Sequence, residues 1–175
     1  MAFGFSKPRL SPIGIDFGAG SVKLLQVVPG DPPQLVAAAA CMVPEPARRD
    51  AAARASFLED ALRGLLRAAP FKGRRVVLSF PAFQTLMQHL EVPHADGEDA
   101  DTQVGMALRN RLHIDPSRVV LRHYPVRQFS REGLKFNEVL CMAAGREVVT
   151  GYLDLAHRLK LEPAGMHGEP HAILK

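Results

Sequence analysis

The sequence contains no uninterrupted apolar run of about 18 residues, the length a bilayer span requires, and its opening residues, MAFGFSKPRLSP, lack the apolar core of a secretory signal. A soluble chain is expected; Phe3 and Phe5 beside Lys7 and Arg9 could touch a membrane or a partner, and a frayed terminus is the favoured reading. Cysteine is scarce. Cys41 and Cys141 belong to no C-x-x-C pair and sit in apolar, strand-like surroundings, so two buried reduced thiols in a cytosolic chain are expected. Charge of one sign is not gathered anywhere. The net charge is +4, and Arg48, Arg54, Arg63, Arg74, Arg109, Arg122 and Arg131 are dispersed, which reads as a solvated surface rather than a nucleic-acid footprint.

Grouped catalytic side chains are also missing. His89, His94, His113, His123 and His157 fall on different segments and suggest no Ser/His/Asp arrangement. In HGEPH, His167 and His171 flank Glu169, but Gly168 and Pro170 spoil the helix that would align them as metal ligands. Met87, Met106 and Met142 read as core filler.

The chain is rich in changes of hydrophobic period. IGIDF and the segment Val22 to Val28 read as strands, the second covered on both faces. PGDPP is a turn, and QLVAAAACMV (34–43) returns as a third strand despite its alanines, because prolines border it. Ala55, Leu58, Ala61, Leu62, Leu65, Leu66 and Ala69 then recur at helical steps until Pro70. RRVVLSFP (74–81) reads as an interior strand.

A second unit follows. QTLMQHLEVP (84–93) alternates as a strand with one wet face. Asp96 is the expected cap of a helix with Glu98, Asp99 and Asp101 in its first turn and Val104, Ala107, Leu108 and Leu112 along one side. Strands over 118–128 and 136–144 are linked through Ser130, Glu132 and Gly133. A helix from Arg146 carries Val149, Tyr152, Leu153, Ala156 and Leu159, followed by a short strand and a proline-started helix. Three meandering strands followed by crossover helices imply a mixed sheet in an α/β domain, at 1–81 and 146–175, with a strand-helix-strand-strand insert at 82–145. The insert, about 60 residues, is too small to count on folding without its host.

IGIDFGAGSVKLLQV (13–27) places chemistry at the break between two strands. Gly18 and Gly20 would let successive N–H groups converge on an anion. Ser21 adds a hydroxyl, Lys23 a charge, and Asp16 a carboxylate able to hold a hydrated Mg²⁺. The same D-x-G-x-G pattern is also ordinary hairpin chemistry.

That stretch resembles the first phosphate loop of the actin-like ATPase superfamily, shared with FtsA, heat-shock chaperones and sugar kinases. With RRVVLSFPAFQTLMQHLEVP, HIDPSRVVLRHYPV and LCMAAGREVVTGYLDLAHRLKLEPAGM in order, nearly the whole chain resembles the PilM family of type IV pilus assembly proteins. The resemblance implies an actin-like (ribonuclease H-like) mixed sheet, subdomain 1A, with an inserted small α+β subdomain 1C. It implies a cytoplasmic scaffold at the inner-membrane pilus platform, meeting the membrane only through partners, and no nucleic acid. Its implied partners are the N-terminal peptide of a PilN-like protein and other platform proteins.

Asp16 takes the metal-facing role by this resemblance, with Gly18, Ala19, Gly20 and Ser21 as phosphate cradle and Lys23 as charged contact for ATP and Mg²⁺. Family loops commonly carry consecutive serines where this chain has Ala19 and Gly20, so hydroxyl donors are lost. The second phosphate loop and the adenosine pocket belong to the family's second half. This chain alone is therefore expected to hold half an ATP site at most, and hydrolysis by it is not expected. The alternative implied by the shared loop is the N-terminal part of an ATP-using enzyme such as a sugar kinase.

Overall fold

The structure, a computed structural model, describes residues 10–94 and 99–173. Phe3, Phe5, Lys7 and Arg9, the expected cap at Asp96 with Glu98, and the side chain of His171 lie outside the described residues. In chain order the elements are β1 (Ile13–Phe17), β2 (Ser21–Val28), β3 (Gln34–Met42), α1 (Glu45–Arg49), α2 (Ala51–Ala68), β4 (Arg75–Phe80) and β5 (Leu86–Pro93). There follow α3 (Ala100–Leu112), β6 (Val119–Arg131), β7 (Leu134–Gly145), α4 (Arg146–Arg158), β8 (Glu162–Gly168) and α5 (Glu169–Ile173). They form two compact units, one from the described residues through Ala82 together with those from Tyr152 onward, the other Phe83–Gly151.

The first unit is a five-stranded mixed sheet in the order β3-β2-β1-β4-β8. β1 runs antiparallel to β2 and parallel to β4, and β4 runs parallel to β8. The period of two in β1 sends Ile13, Ile15 and Phe17 to one face. Register then aligns them with Val22 and Leu24 of β2 and with Val76 and Leu78 of β4. Against that face lie Leu58, Leu62 and Leu65 of α2, which is capped by Asp50 accepting from Ala53 N–H at 2.6 Å. From α4, the Tyr152 ring lies tilted at 36° against Phe17, with centroids 4.7 Å apart, and stacks on Phe80 at 6.2 Å.

The opposite face of β1 to β3 is open. Lys23, Leu25, Ala38, Ala40 and Met42 are exposed there, so β2 is covered on one face rather than on both. Its run of apolar residues misleads because Leu25, 51% exposed, spends its side chain on that open face. The helix α1 was not anticipated; Pro46 occupies its first turn, where a missing N–H costs nothing.

The second unit is a three-stranded antiparallel sheet, β5-β7-β6, with α3 against one face. Leu90 and Val92 of β5, Val139 and Cys141 of β7, and Val104 and Leu108 of α3 make its core. The cap of α3 is Asp99, whose carboxylate accepts from Asp101 N–H, and the helix ends at His113 in the left-handed region (φ 54°). β6 and β7 run longer than their apolar patterns because Glu132 and Gly133, both with positive φ, close a two-residue hairpin. Met87 and Met106 are exposed rather than core, and only Met142 of the three is buried. Cys141 is buried, as its apolar strand implies, whereas Cys41 is only half-buried on an edge strand; both thiols are free.

Candidate functional site

Gly18, Ala19 and Gly20 form the connection between β1 and β2, at the end of the sheet where β1 finishes. Asp16 and Lys23 are register partners across these strands, and on the open face Lys23 Nζ lies 3.3 Å from Asp16 Oδ2. Gly18 is required by space rather than by backbone angle. A Cβ built there would lie 2.9 Å from Ser21 O, 3.7 Å from Asp16 Oδ2 and 3.8 Å from Ser21 Oγ. Carboxylate and hydroxyl therefore converge beside Gly18. A Cβ at Gly20 would meet nothing within 4 Å. Neither glycine has a positive φ, so the curl does not depend on glycine's conformational freedom.

What shapes the loop is Arg54, on the first turn of α2. Expected as one of several solvated surface arginines, it is 7% exposed. Its Nη2 donates to Gly18 O at 2.8 Å and to Phe17 O at 3.4 Å, and its Nη1 to Ala19 O at 3.4 Å. Val43 N–H completes the set by donating to Gly20 O at 2.9 Å. In a trans peptide the C=O and the following N–H point oppositely. The three carbonyls held by Arg54 thus turn the N–H groups of Gly18, Ala19 and Gly20 away from the guanidinium, as an anion cradle needs.

Tyr152 adjoins the same arginine. Burial raises its phenol pKa, and the charge of Arg54 with its hydrogen bond works in the opposite direction. Arg54 could have been noticed in the sequence: it stands four residues before Leu58, in line with the buried stripe of Leu58, Leu62 and Leu65.

All six sequence-predicted residues, Asp16, Gly18, Ala19, Gly20, Ser21 and Lys23, are brought together at this hairpin. Among the described residues no group of three or more His, Cys, Asp or Glu side chains could hold a metal ion, and Glu169 of the HGEPH stretch instead accepts from Ala82 N–H at 2.9 Å. No described helix is long and apolar enough to cross a membrane.

The fold that carries this loop is the mixed α/β type of PilM and the actin-like proteins. It is similar to a solved structure of the PilM-PilN type IV pilus biogenesis complex, with 26% identity and a TM-score of 0.66 over 93% of this chain and 48% of that one. The cytoplasmic domain of EpsL, an inner-membrane component of the type II secretion system of Vibrio cholerae, shares the fold at 11% identity and a TM-score of 0.54, over 88% of this chain and 56% of that one. The chain thus spans about half the length of the solved chains it matches. No family model matches it, and no curated protein matches it in sequence.

Proposed function

We propose that this chain serves as a cytoplasmic scaffold of a type IV pilus or related secretion platform at the bacterial inner membrane, binding the cytosolic tail of a PilN-like membrane protein. The observation that carries this reading is the 26% identity to a chain of the PilM-PilN complex, sustained over 93% of the sequence. The EpsL likeness supports the fold alone. In this reading the protein reaches the membrane through its partners, and ATP with Mg²⁺ acts as a conformational ligand rather than a substrate.

The hairpin's residues fit such a ligand in part. The N–H groups of Gly18, Ala19 and Gly20 would receive phosphate oxygens, and Ser21 Oγ adds a donor. Mg²⁺ retains several waters and takes one or two carboxylates plus phosphate. Asp16 with Ser21 suits that sharing, and Lys23, now paired with Asp16, would be free to turn to phosphate. In this reading the carboxylate of Asp16 serves Mg²⁺ rather than an attacking water, and the chain acts as a binder. A pull-down with an immobilised PilN-type N-terminal peptide tests the scaffold role. Retention on the specific peptide but not on a scrambled one supports it, and equal retention on both refutes it.

A further inference from the structure

We propose that the groove between α3 and the outer edge of β5, within the second unit, docks an extended peptide carrying an apolar and an acidic residue two positions apart, a contact that does not rest on the scaffold reading. The register of β5 shows why its edge can take a strand. His94 N–H donates to Lys135 O at 2.9 Å, so by the period of two the pairs Val92–Asn137, Leu90–Val139 and Gln88–Cys141 also point their backbone groups at each other. Met87, His89 and Glu91 therefore turn their N–H and C=O groups outward. Among the described residues no backbone partner meets them.

The sheet's other edge is guarded, and this one is not. β6 slips register between Pro125 and Arg127, and the missing N–H of Pro125 falls on its outer side. β5 keeps unbroken register with β7 from Leu86 to Pro93, where the final proline alone lacks a donor. An open, regular edge of this kind is a template for a further strand. Its outward groups recur about every 7 Å, which matches the alternating donors and acceptors of an extended polypeptide and not the headgroups of a lipid or the phosphates of a nucleic acid.

Beside that edge lies a cavity of about 460 Å³, whose lining includes Pro93, Met106 and Ala107 as apolar surface and Glu91, Asn110 and Arg111 as polar groups. Met106, 50% exposed, is the apolar side chain that α3 leaves to the groove. Glu91 is neutralised by Arg131 at 2.9 Å, whereas Asn110 and Arg111 are exposed and, among the described residues, unpaired. The uncompensated charge of the groove is thus a guanidinium, which suits a carboxylate. Met106 and Arg111 are five residues apart, about 7.5 Å of helix, close to the spacing of alternate side chains on an added strand. An apolar side chain on Met106 and Ala107 therefore places the acid two positions along at Arg111. The β5 edge of a second copy offers Arg111 no such group, because its own Glu91 is tied to Arg131.

The test is selection from a random dodecapeptide phage library on the full chain, followed by amide hydrogen exchange of the full chain with the strongest selected peptide in synthetic form. Peptides with an apolar and an acidic residue two positions apart are expected, together with slowed exchange at the amides of Met87, His89 and Glu91. N-methylation of the peptide's alternate amides, which leaves the protein's fold untouched, should weaken binding at least about tenfold. Arg111→Gln, an exposed change on α3, should weaken it about fivefold to tenfold. Failure to select any saturable peptide, protection elsewhere with these three amides unchanged, or full affinity of the N-methylated peptide or of Arg111→Gln overturns the proposal. So does protection of the same amides that rises with protein concentration in the absence of peptide, the mark of a second copy.

Discussion

Arg54 Nη2 stands 2.8 Å from the carbonyl oxygen of Gly18, so a buried cation of α2 holds the hairpin between β1 and β2 from the inside. Its fork reaches Phe17 O and Ala19 O as well. Arg54→Ala would leave these carbonyls without their donor in a buried site, at a cost of about 2–4 kcal/mol. Lysine, with one compact ammonium, cannot span three carbonyls, so Arg54→Lys should recover less than half of the loss. Urea unfolding measures both, and a loss under about 0.5 kcal/mol for alanine would show that Arg54 does not brace the loop.

The two glycines separate space from backbone freedom. At Gly18 an added Cβ meets Ser21 O at 2.9 Å, and at Gly20 it meets nothing. Gly18→Ala should destabilise by about 1–3 kcal/mol. Gly20→Ala should stay within about 0.5 kcal/mol of the parent, or gain slightly from a less flexible unfolded chain. Equal melting shifts for the two variants would contradict this geometry.

The Asp16–Lys23 pair faces solvent and is screened, so Lys23→Ala should change stability by less than about 1 kcal/mol. Its effect should appear in nucleotide binding instead. Asp16→Asn should reduce the Mg²⁺-dependent part of ATP binding by about tenfold, and Lys23→Ala should weaken binding with and without Mg²⁺. Fluorescent-nucleotide titration reads both, and unchanged affinities would remove these residues from the site.

Burial pushes the Cys141 thiol up to about 11 from 9.0. Above pH 9 the unfolded chain releases this proton while the folded chain keeps it, so the unfolded state binds fewer protons and stability falls as pH rises. The contribution is complete below pH 9 and lost by pH 11, on the order of 3 kcal/mol. Cys141→Ala should flatten that alkaline slope, whatever its cost at neutral pH. At pH 8 a thiol reagent should modify half-buried Cys41 first, with Cys141 reacting only on unfolding; simultaneous modification of both would count against the core assignment.

Much of this architecture was legible in the residues. Strand β3 was recoverable in spite of Ala37 to Ala40 because its proline borders outweigh alanine's helix preference, and the observed span is Gln34–Met42. The stripe of Leu58, Leu62 and Leu65 gave α2, and Pro70 its end. The hidden features depend on what lies across space. Arg54 looks like any surface arginine until the carbonyls of residues 17–19 are brought over it, and Leu25 looks like core until its face is found open. Likewise, Met87 and Met106 have apolar neighbours in sequence but solvent in the fold. The site residues were legible because they are contiguous; the helical stripe marks Arg54 as inward-facing, but its carbonyl partners, 36 positions away at Gly18, are joined to it only by the fold.

Isothermal titration calorimetry of the folded chain with a PilN-type cytosolic tail tests the scaffold assignment most directly. Saturable heat with one tail per chain, absent with a scrambled peptide, is the predicted result. A chain that melts cooperatively yet gives no heat or protection with that tail across micromolar to millimolar peptide would contradict it.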